Sequence, residues 1–121
     1  MIILFFLFEL KHFICDGLLQ TRYHLGKFEP KFRQYAMPLL SHAAINAVGA
    51  ALIALAYNYK VAFYICVLEI ILHFIIDRVK ASPKILGRWQ YHQPWFWHVL
   101  MFDQMLHRLT YMFYVYLILK V

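Results

Sequence analysis

Four long apolar segments alternate with shorter, more polar connections along this chain of 121 residues. An α-helix needs about 20 apolar residues to cross roughly 30 Å of hydrocarbon, and each segment approaches or exceeds that length. The pattern predicts an all-α fold in one transmembrane domain over residues 1–121, an integral membrane four-helix bundle of two antiparallel hairpins. The predicted helices cover about residues 2–20, 38–57, 61–79 and 95–119.

The composition favours a bilayer over water as the solvent of this chain. Hydrophobic residues make up 64% of it and charged residues 15%, against roughly 25% charged in soluble domains. The net charge is +6, and eight of the twelve Lys and Arg residues lie in or beside the two longer connections, about 21–37 and 80–94. Because basic connections stay in the cytoplasm, we expect these two to face it beside anionic membrane lipids. Both termini are then outside, and nucleic acid is not an expected partner.

Ionisable residues inside the apolar segments occur in pairs four residues apart. Such spacing places two side chains on one helical face, about one turn from each other. Because successive helices alternate in direction, all the pairs fall in the cytoplasmic half, in a layer on the order of 10 Å thick at ~1.5 Å per residue. The pairs are His12 with Asp16, His42 with Asn46, His73 with Asp77, and Asp103 with His107.

A bound metal would offset the cost of placing these groups in a membrane. Each charged side chain at depth costs roughly 2.5–3.5 kcal/mol, and imidazole with carboxylate suits a divalent ion such as Zn, Mn or Fe. The alternative is a metal-free polar core or proton relay that specifies helix register. The predicted metal ligands are His12, Asp16, His73, Asp77, Asp103 and His107, with His42 as a ligand or general base.

Further polar residues extend the same faces and lie toward the cytoplasmic mouth. Lys80 is expected to take part in catalysis by neutralising an anionic substrate. Gln20, Asn46, Glu69 and Gln104 are expected to support the ligands by hydrogen bonds. Arg78 suits ordinary anchoring at the membrane surface, and the remaining histidines, His24, His92 and His98, are predicted to be surface residues.

The polar residues also carry a resemblance to a known family. The string from His12 to Thr21 contains His-x-x-x-Asp-x-x-Leu-Gln, and it is followed by His42, by His73-x-x-x-Asp77-x-x-Lys80 and by Asp103-Gln-x-x-His107. This order resembles small prokaryotic and phage membrane proteins catalogued as domain of unknown function 3307. The resemblance implies a membrane protein with this polar set in a prokaryotic cytoplasmic membrane, and it implies no activity. The arrangement is also loosely similar to small membrane metal-dependent hydrolases.

Three hypotheses about function follow from these residues. The first is a membrane-embedded metal-dependent hydrolase of a phosphoester or phosphoanhydride, including a lipid-linked small substrate, with its site near the cytoplasmic face. The second is a cation or proton transporter or channel that uses the same His/Asp cluster. The third is a non-enzymatic phage or bacterial membrane effector. Four helices form a thin wall around a polar core, so a homo-oligomer is compatible with each hypothesis.

Overall fold

The computed structural model describes all 121 residues as an all-helical fold without strands, which confirms the predicted all-α class. The first connection contains a π-helical segment, Phe13–Leu18, and a 3-10 helix, Tyr23–Phe28. A second connection, residues 82–93, joins the last two helices. The four α-helices are α1, Ile2–His12; α2, Phe32–Leu55; α3, Tyr59–Ala81; and α4, Pro94–Lys120.

Helix α2 begins at Phe32 and not at the predicted residue 38, so that Pro38 lies inside it. Two features of the sequence predict a start at residue 38. Proline lacks a backbone N–H and is usually confined to the first turn of a helix, and the apolar run also begins at Pro38. The structure extends the helix toward its N-terminus through the more polar Arg33 and Gln34. The Pro38 ring packs on the 3-10 helix, because a Cβ at Gly26 would lie 2.7 Å from its Cγ.

The connection between α2 and α3 is as short as the hydropathy pattern predicts. Residues 56–58 join the two helices, and α3 begins directly after Asn58. The Asn58 side-chain oxygen accepts hydrogen bonds from the backbone N–H groups of Lys60 at 2.8 Å and Val61 at 3.2 Å. Asparagine at this position satisfies N–H groups that have no partner within the helix. Helices α2 and α3 therefore form a hairpin and pack along each other.

The helices separate an apolar half of the molecule from a polar half. Helix α2 packs against α3, α3 against α4, and α1 against both α2 and α4. The apolar core is formed by the N-terminal halves of α1 and α3 and the C-terminal halves of α2 and α4. Its members include Leu4, Phe8, Ala50, Ala54, Ile65, Tyr114, Val115 and Ile118.

Two of the four helices, α2 and α3, are long and apolar enough to cross a membrane. Length and composition alone carry this finding, and the core helix of a soluble protein can meet the same test. The π-helical segment ends the α-helical part of the first predicted span after 11 residues. Large apolar side chains are nevertheless exposed on all four helices, among them Phe6 at 64%, Leu52 at 64%, Phe63 at 67% and Met101 at 66%.

Candidate metal centre

Asp77 of α3 lies at the centre of the polar half, with a side chain that is 1% exposed. Its two carboxylate oxygens face different sets of neighbours. Oδ1 lies 3.2 Å from His107 Nε2 on α4. Oδ2 lies 3.2 Å from His42 Nε2 on α2 and 3.4 Å from His73 Nε2 on α3. One carboxylate therefore connects two groups of possible metal ligands.

The first group contains Asp16, His42, His73 and Asp77, with four ligand atoms within 4.8 Å of one another. Asp16 Oδ1 lies 2.8 Å from His42 Nε2 and 3.3 Å from His73 Nε2. Ligands at ~2.05 Å around a tetrahedral ion are separated by roughly 3.3 Å. The nitrogen–oxygen separations of this group are close to that value without rearrangement, so the four residues could hold a metal ion.

The second group contains Asp77, Asp103 and His107, and its members are all buried. His107 Nε2 lies 3.2 Å from Asp77 Oδ1 and 3.3 Å from Asp103 Oδ1. Three protein ligands leave a coordination position open, which is the arrangement of catalytic rather than structural metal sites. The two groups share Asp77 alone.

Several buried polar atoms in these groups and in the neighbouring Asn46 have no hydrogen-bond partner. They are both ring nitrogens of His42, Nε2 of His73, Oδ1 of Asp103 and Oδ1 of Asn46. The Nε2 atoms of His42 and His73 lie near the carboxylate oxygens of Asp16 and Asp77 but not in hydrogen-bonding geometry. Buried polar groups without partners are rare and call for an explanation. A cation between these imidazole and carboxylate atoms would supply one, and the donor set fits a divalent ion.

Asp16 lies in the π-helical segment, and it contacts its predicted pair, because His12 Nδ1 lies 3.4 Å from Asp16 Oδ2. The backbone N–H of Leu19 bonds to the carbonyl of Ile14 at 2.8 Å, the five-residue spacing of a π-turn. Asp16 Oδ1 faces His42 on α2, and the His12 ring nitrogens also lie 2.8 Å from Tyr111 OH and 2.8 Å from Gln104 Oε1 on α4. His12 is outside both groups of possible ligands.

The other predicted supporting residues contact members of the two groups. Glu69 Oε1 lies 3.1 Å from His73 Nδ1, the contact that usually orients a ligating histidine. Asn46 Nδ2 donates to Asp16 Oδ1 at 3.1 Å. Gln104 connects His12 with Asp103, because its Nε2 donates to Asp103 Oδ2 at 3.0 Å. Gln20 is more distant and accepts a hydrogen bond from a lysine of the first connection.

Lys27 is a site residue that the sequence reasoning missed. It was assigned to a basic surface connection, but its side chain is 3% exposed and its Nζ lies 3.0 Å from Asp77 Oδ2. The same Nζ donates to Gln20 Oε1 at 2.8 Å. The 3-10 helix folds back over the polar half and inserts this ammonium group. Its sequence context is that of any loop lysine, so no local signal could have identified it.

Two further lysines pair with buried carboxylates. Lys80 Nζ lies 3.3 Å from Asp103 Oδ2, next to the second group as predicted. Lys11 was not predicted; its Nζ lies 3.1 Å from Glu69 Oε1 and 3.3 Å from Tyr111 OH. Lysine is almost never fully buried unless paired, so burial and pairing occur together here.

A histidine of the first connection is also buried, although the sequence predicts a surface residue. His24 is 6% exposed, and its ring lies 5.7 Å from that of His42, so its prediction as a surface residue is wrong. Burial lowers the pKa of His24 below its ordinary value. His92 and His98 are exposed. Arg78 donates to the carbonyls of Lys27 and Glu29 at 2.9 Å and holds the connection against α3.

The fold and this cluster define an all-helical protein in which buried histidine and aspartate side chains from four helical segments could hold a metal ion. Comparison of the sequence with known families identifies the family of this protein. Residues 3–121 match the family described as "Protein of unknown function (DUF3307)", and the chain belongs to it, which confirms the resemblance seen in the sequence. No curated protein and no solved structure matches the chain significantly.

Proposed function

We propose that this protein is a membrane-embedded, metal-dependent hydrolase of a phosphoester or phosphoanhydride. The observation that carries the proposal is Asp77, whose two oxygens face two separate groups of possible ligands. Sites with two metal ions about 3.5–4 Å apart are common in enzymes that cleave phosphate esters. The group with three protein ligands lies beside Lys80, a cation suited to a phosphate oxygen.

The roles of the residues follow from their positions. Asp16, His42, His73 and Asp77 would hold one divalent ion, and Asp77, Asp103 and His107 a second, with Zn, Mn and Fe compatible with these donors. Divalent ions there would supply Lewis acidity toward a phosphoryl oxygen and a water molecule. Lys80 would attract the anionic substrate, and Gln104 and Glu69 would fix the orientation of Asp103 and His73. His42 keeps both predicted roles, because its Nδ1 has no partner and could accept a proton.

We further propose that the chain crosses the prokaryotic cytoplasmic membrane four times, the first time as α1 continued by the π-helical segment Phe13–Leu18, with the basic connections in the cytoplasm and the termini outside. Exposed apolar side chains on α1 and α4, as well as on the two candidate spans, support this placement. Patches of this extent are unusual on soluble monomers. The polar half of the molecule would then lie near the cytoplasmic surface, within reach of phosphorylated or lipid-linked substrates.

Metal content is the first test of this proposal. Protein purified from cells grown with Zn, Mn and Fe should contain about two equivalents of metal by elemental analysis if both groups are filled. Asp77→Asn should lose most of both equivalents, because it removes the shared ligand. Glu9→Gln is the matched control, since Glu9 is exposed and pairs only with Arg108. Wild-type protein that contains no metal and takes none up would contradict the proposal.

Activity is the second test. Metal-loaded protein should release inorganic phosphate from members of a panel of phosphoesters and phosphoanhydrides, and chelation should abolish the release. Lys80→Met should raise KM more than it lowers kcat if Lys80 mainly attracts the substrate. Metal-loaded protein inactive toward the whole panel would argue against a hydrolase.

The apolar half of the molecule bears on the transport alternative. The core of Leu4, Phe8, Ile65, Tyr114 and Ile118 fills the half opposite the polar cluster. No polar path therefore continues through a single copy of the chain, which makes a channel the weaker proposal. An ion-flux assay in liposomes separates the two, since flux that is lost in Asp16→Asn without any hydrolysis would favour transport. A non-enzymatic effector would show neither activity.

A further inference from the structure

A cleft beside the polar cluster has one cationic side chain on its walls, that of Lys80. A cavity of about 280 Å³ lies between α4 and the connection that follows α3, and one of about 120 Å³ lies between α3 and α4. Lys80, Leu86 and Val99 line both cavities, so the two adjoin along one wall. The larger cavity is otherwise walled mainly by apolar and aromatic side chains, including Trp89 and Phe96.

The cleft leads directly to the second group of possible metal ligands. The smaller cavity is lined by Asp103 as well as Lys80. Lys80 Nζ lies 3.3 Å from Asp103 Oδ2, and Asp103 Oδ1 lies 3.3 Å from His107 Nε2. Lys80 and Asp103 are the only charged residues on the walls of the two cavities. A ligand that fills the cleft would therefore have an apolar body and one polar end beside the ligand group.

We propose that this cleft binds a single-chain amphiphile with a terminal phosphate, its chain against Val99 and the aromatic wall and its phosphate at Lys80. If the protein is the hydrolase proposed above, on which this part of the inference rests, such an amphiphile is the class of substrate that it cleaves. Ligand pockets usually measure roughly 300–1,000 Å³, and the larger cavity, at about 280 Å³, lies just below that range, which suits a ligand as narrow as one alkyl chain. A single turn of an α-helix, about 10 Å across and about 5.4 Å long, already exceeds the volume of this cavity. Lys80 is the only cation on the walls and pairs with Asp103, so an anionic end is favoured where a divalent ion offsets the Asp103 carboxylate.

Binding of a non-hydrolysable analogue tests the inference without relying on activity. The full chain is placed in phosphatidylcholine nanodiscs, and binding of radiolabelled alkyl phosphonates is measured with and without Zn²⁺ or Mn²⁺. Binding to empty nanodiscs is subtracted. Dodecyl phosphonate should bind at least about tenfold more tightly than butyl phosphonate or dodecanol. Equal binding of the long and short phosphonates would overturn the inference.

Variants place the binding in the cleft. Val99→Trp fills both cavities and should weaken dodecyl phosphonate binding about tenfold or more, whereas Met101→Trp, on an exposed face of the same helix, should not. Leu100→Trp, which narrows the larger cavity, serves the same purpose if the first variant does not fold. Lys80→Met should remove the preference for phosphonate over dodecanol, and Lys84→Met, in the exposed connection, should retain it. Unchanged binding in a folded Val99→Trp or Leu100→Trp variant would overturn the assignment.

The outcomes for the two proposals are distinguishable. If binding depends on chain length and is abolished by Val99→Trp, but no phosphoester is hydrolysed, the proposed ligand of the cleft is supported and the proposed hydrolase activity is contradicted. If short and long phosphoesters are hydrolysed at equal metal-dependent rates that Val99→Trp does not change, the hydrolase activity is supported and the proposed ligand of the cleft is contradicted. Preferential hydrolysis of dodecyl phosphate that Val99→Trp lowers about tenfold supports both.

Discussion

Buried lysines alter the electrostatic argument for a metal. Three carboxylates of the cluster each have an ammonium partner: Glu69 has Lys11, Asp77 has Lys27 and Asp103 has Lys80. The cost of burying the Asp77 and Asp103 carboxylates is thus offset in part by the protein's own lysines, so that this cost alone no longer calls for a metal. The remaining argument for a metal is geometric: Asp16 has no lysine partner, and the Nε2 atoms of His42 and His73 that lie near it make no hydrogen bond.

The position of Lys27 predicts competition between its ammonium group and a metal ion. Its Nζ lies 3.0 Å from Asp77 Oδ2, the oxygen that also faces His42 and His73. Two cations cannot share that oxygen without strong repulsion, so Lys27 must withdraw when the first group binds an ion. Lys27→Met should therefore raise the affinity for Zn²⁺ or Mn²⁺ about tenfold or more. Competition with a chromophoric chelator measures this affinity.

The control for that measurement removes a lysine from the same connection. Lys31 is exposed at the N-terminus of α2, so Lys31→Met makes the same change in net charge without changing the cluster. A similar rise in affinity in both variants would show that Lys27 acts through net charge only. Reduced affinity in Lys27→Met would show that the ammonium supports the site instead of competing for it.

The pair of Lys11 and Glu69 predicts a non-additive effect on stability. Glu69 accepts from Lys11 at 3.1 Å and from Tyr114 OH at 2.6 Å, deep between α1, α3 and α4. Glu69→Gln leaves the Lys11 ammonium buried without its counter-ion and should lower the free energy of unfolding by about 3–5 kcal/mol. The double variant Lys11→Met, Glu69→Gln should lose less. Chemical unfolding in detergent measures the free energy of unfolding of the double variant and of each single variant. If the losses of the single variants simply add in the double variant, the two side chains do not act as a pair.

At the level of elements, the contact between α1 and α2 determines where Asp16 lies. Gly49 of α2 is so close to α1 that a Cβ there would lie 2.9 Å from Lys11 Cγ and 3.0 Å from Cys15 Sγ. Lys11 is anchored at its far end by Glu69 and Tyr111, and Cys15 is inside the π-helical segment. Neither neighbour can move without moving the backbone that carries Asp16.

Gly49→Ala should consequently affect both stability and metal binding. Overpacking of this kind costs about 1–3 kcal/mol, and displacement of α1 should weaken metal binding to the first group while sparing the second. Differential scanning fluorimetry and elemental analysis measure the two effects. Gly17→Ala is the control, because a Cβ at Gly17 has no neighbour within 4 Å. Unchanged metal content in a destabilised Gly49→Ala variant would separate the helix contact from the site.

The whole molecule is divided into an apolar half and a polar half, and the proposed orientation places the polar half at the cytoplasmic surface. The basic connections belong to the polar half, whereas the short turn at residues 56–58 belongs to the apolar half. A homo-oligomer would cover more of the thin helical wall and remains a prediction.

This orientation is tested by the accessibility of single cysteines. In a Cys15→Ser, Cys66→Ser background, Arg88→Cys and Lys31→Cys should react with an impermeant maleimide in inverted membrane vesicles only. Lys60→Cys should react in right-side-out vesicles only, because the α2–α3 turn is on the opposite side. Labelling of Lys60→Cys and Arg88→Cys from the same side would contradict four crossings.

The sequence by itself determined the all-helical class, the short turn at Asn58, the family and the members of the two groups of possible metal ligands. Helical periodicity places His73 with Asp77, and Asp103 with His107, on single faces whatever their neighbours are. Tertiary structure decided which atoms meet: Asp77 joins two groups, His12 faces Tyr111 and Gln104, and Lys27 and His24 are buried. The reason is physical. Periodicity sets the face and depth of a residue, whereas the rotation of each helix, the π-turn and the folding of a connection depend on packing between segments distant in sequence.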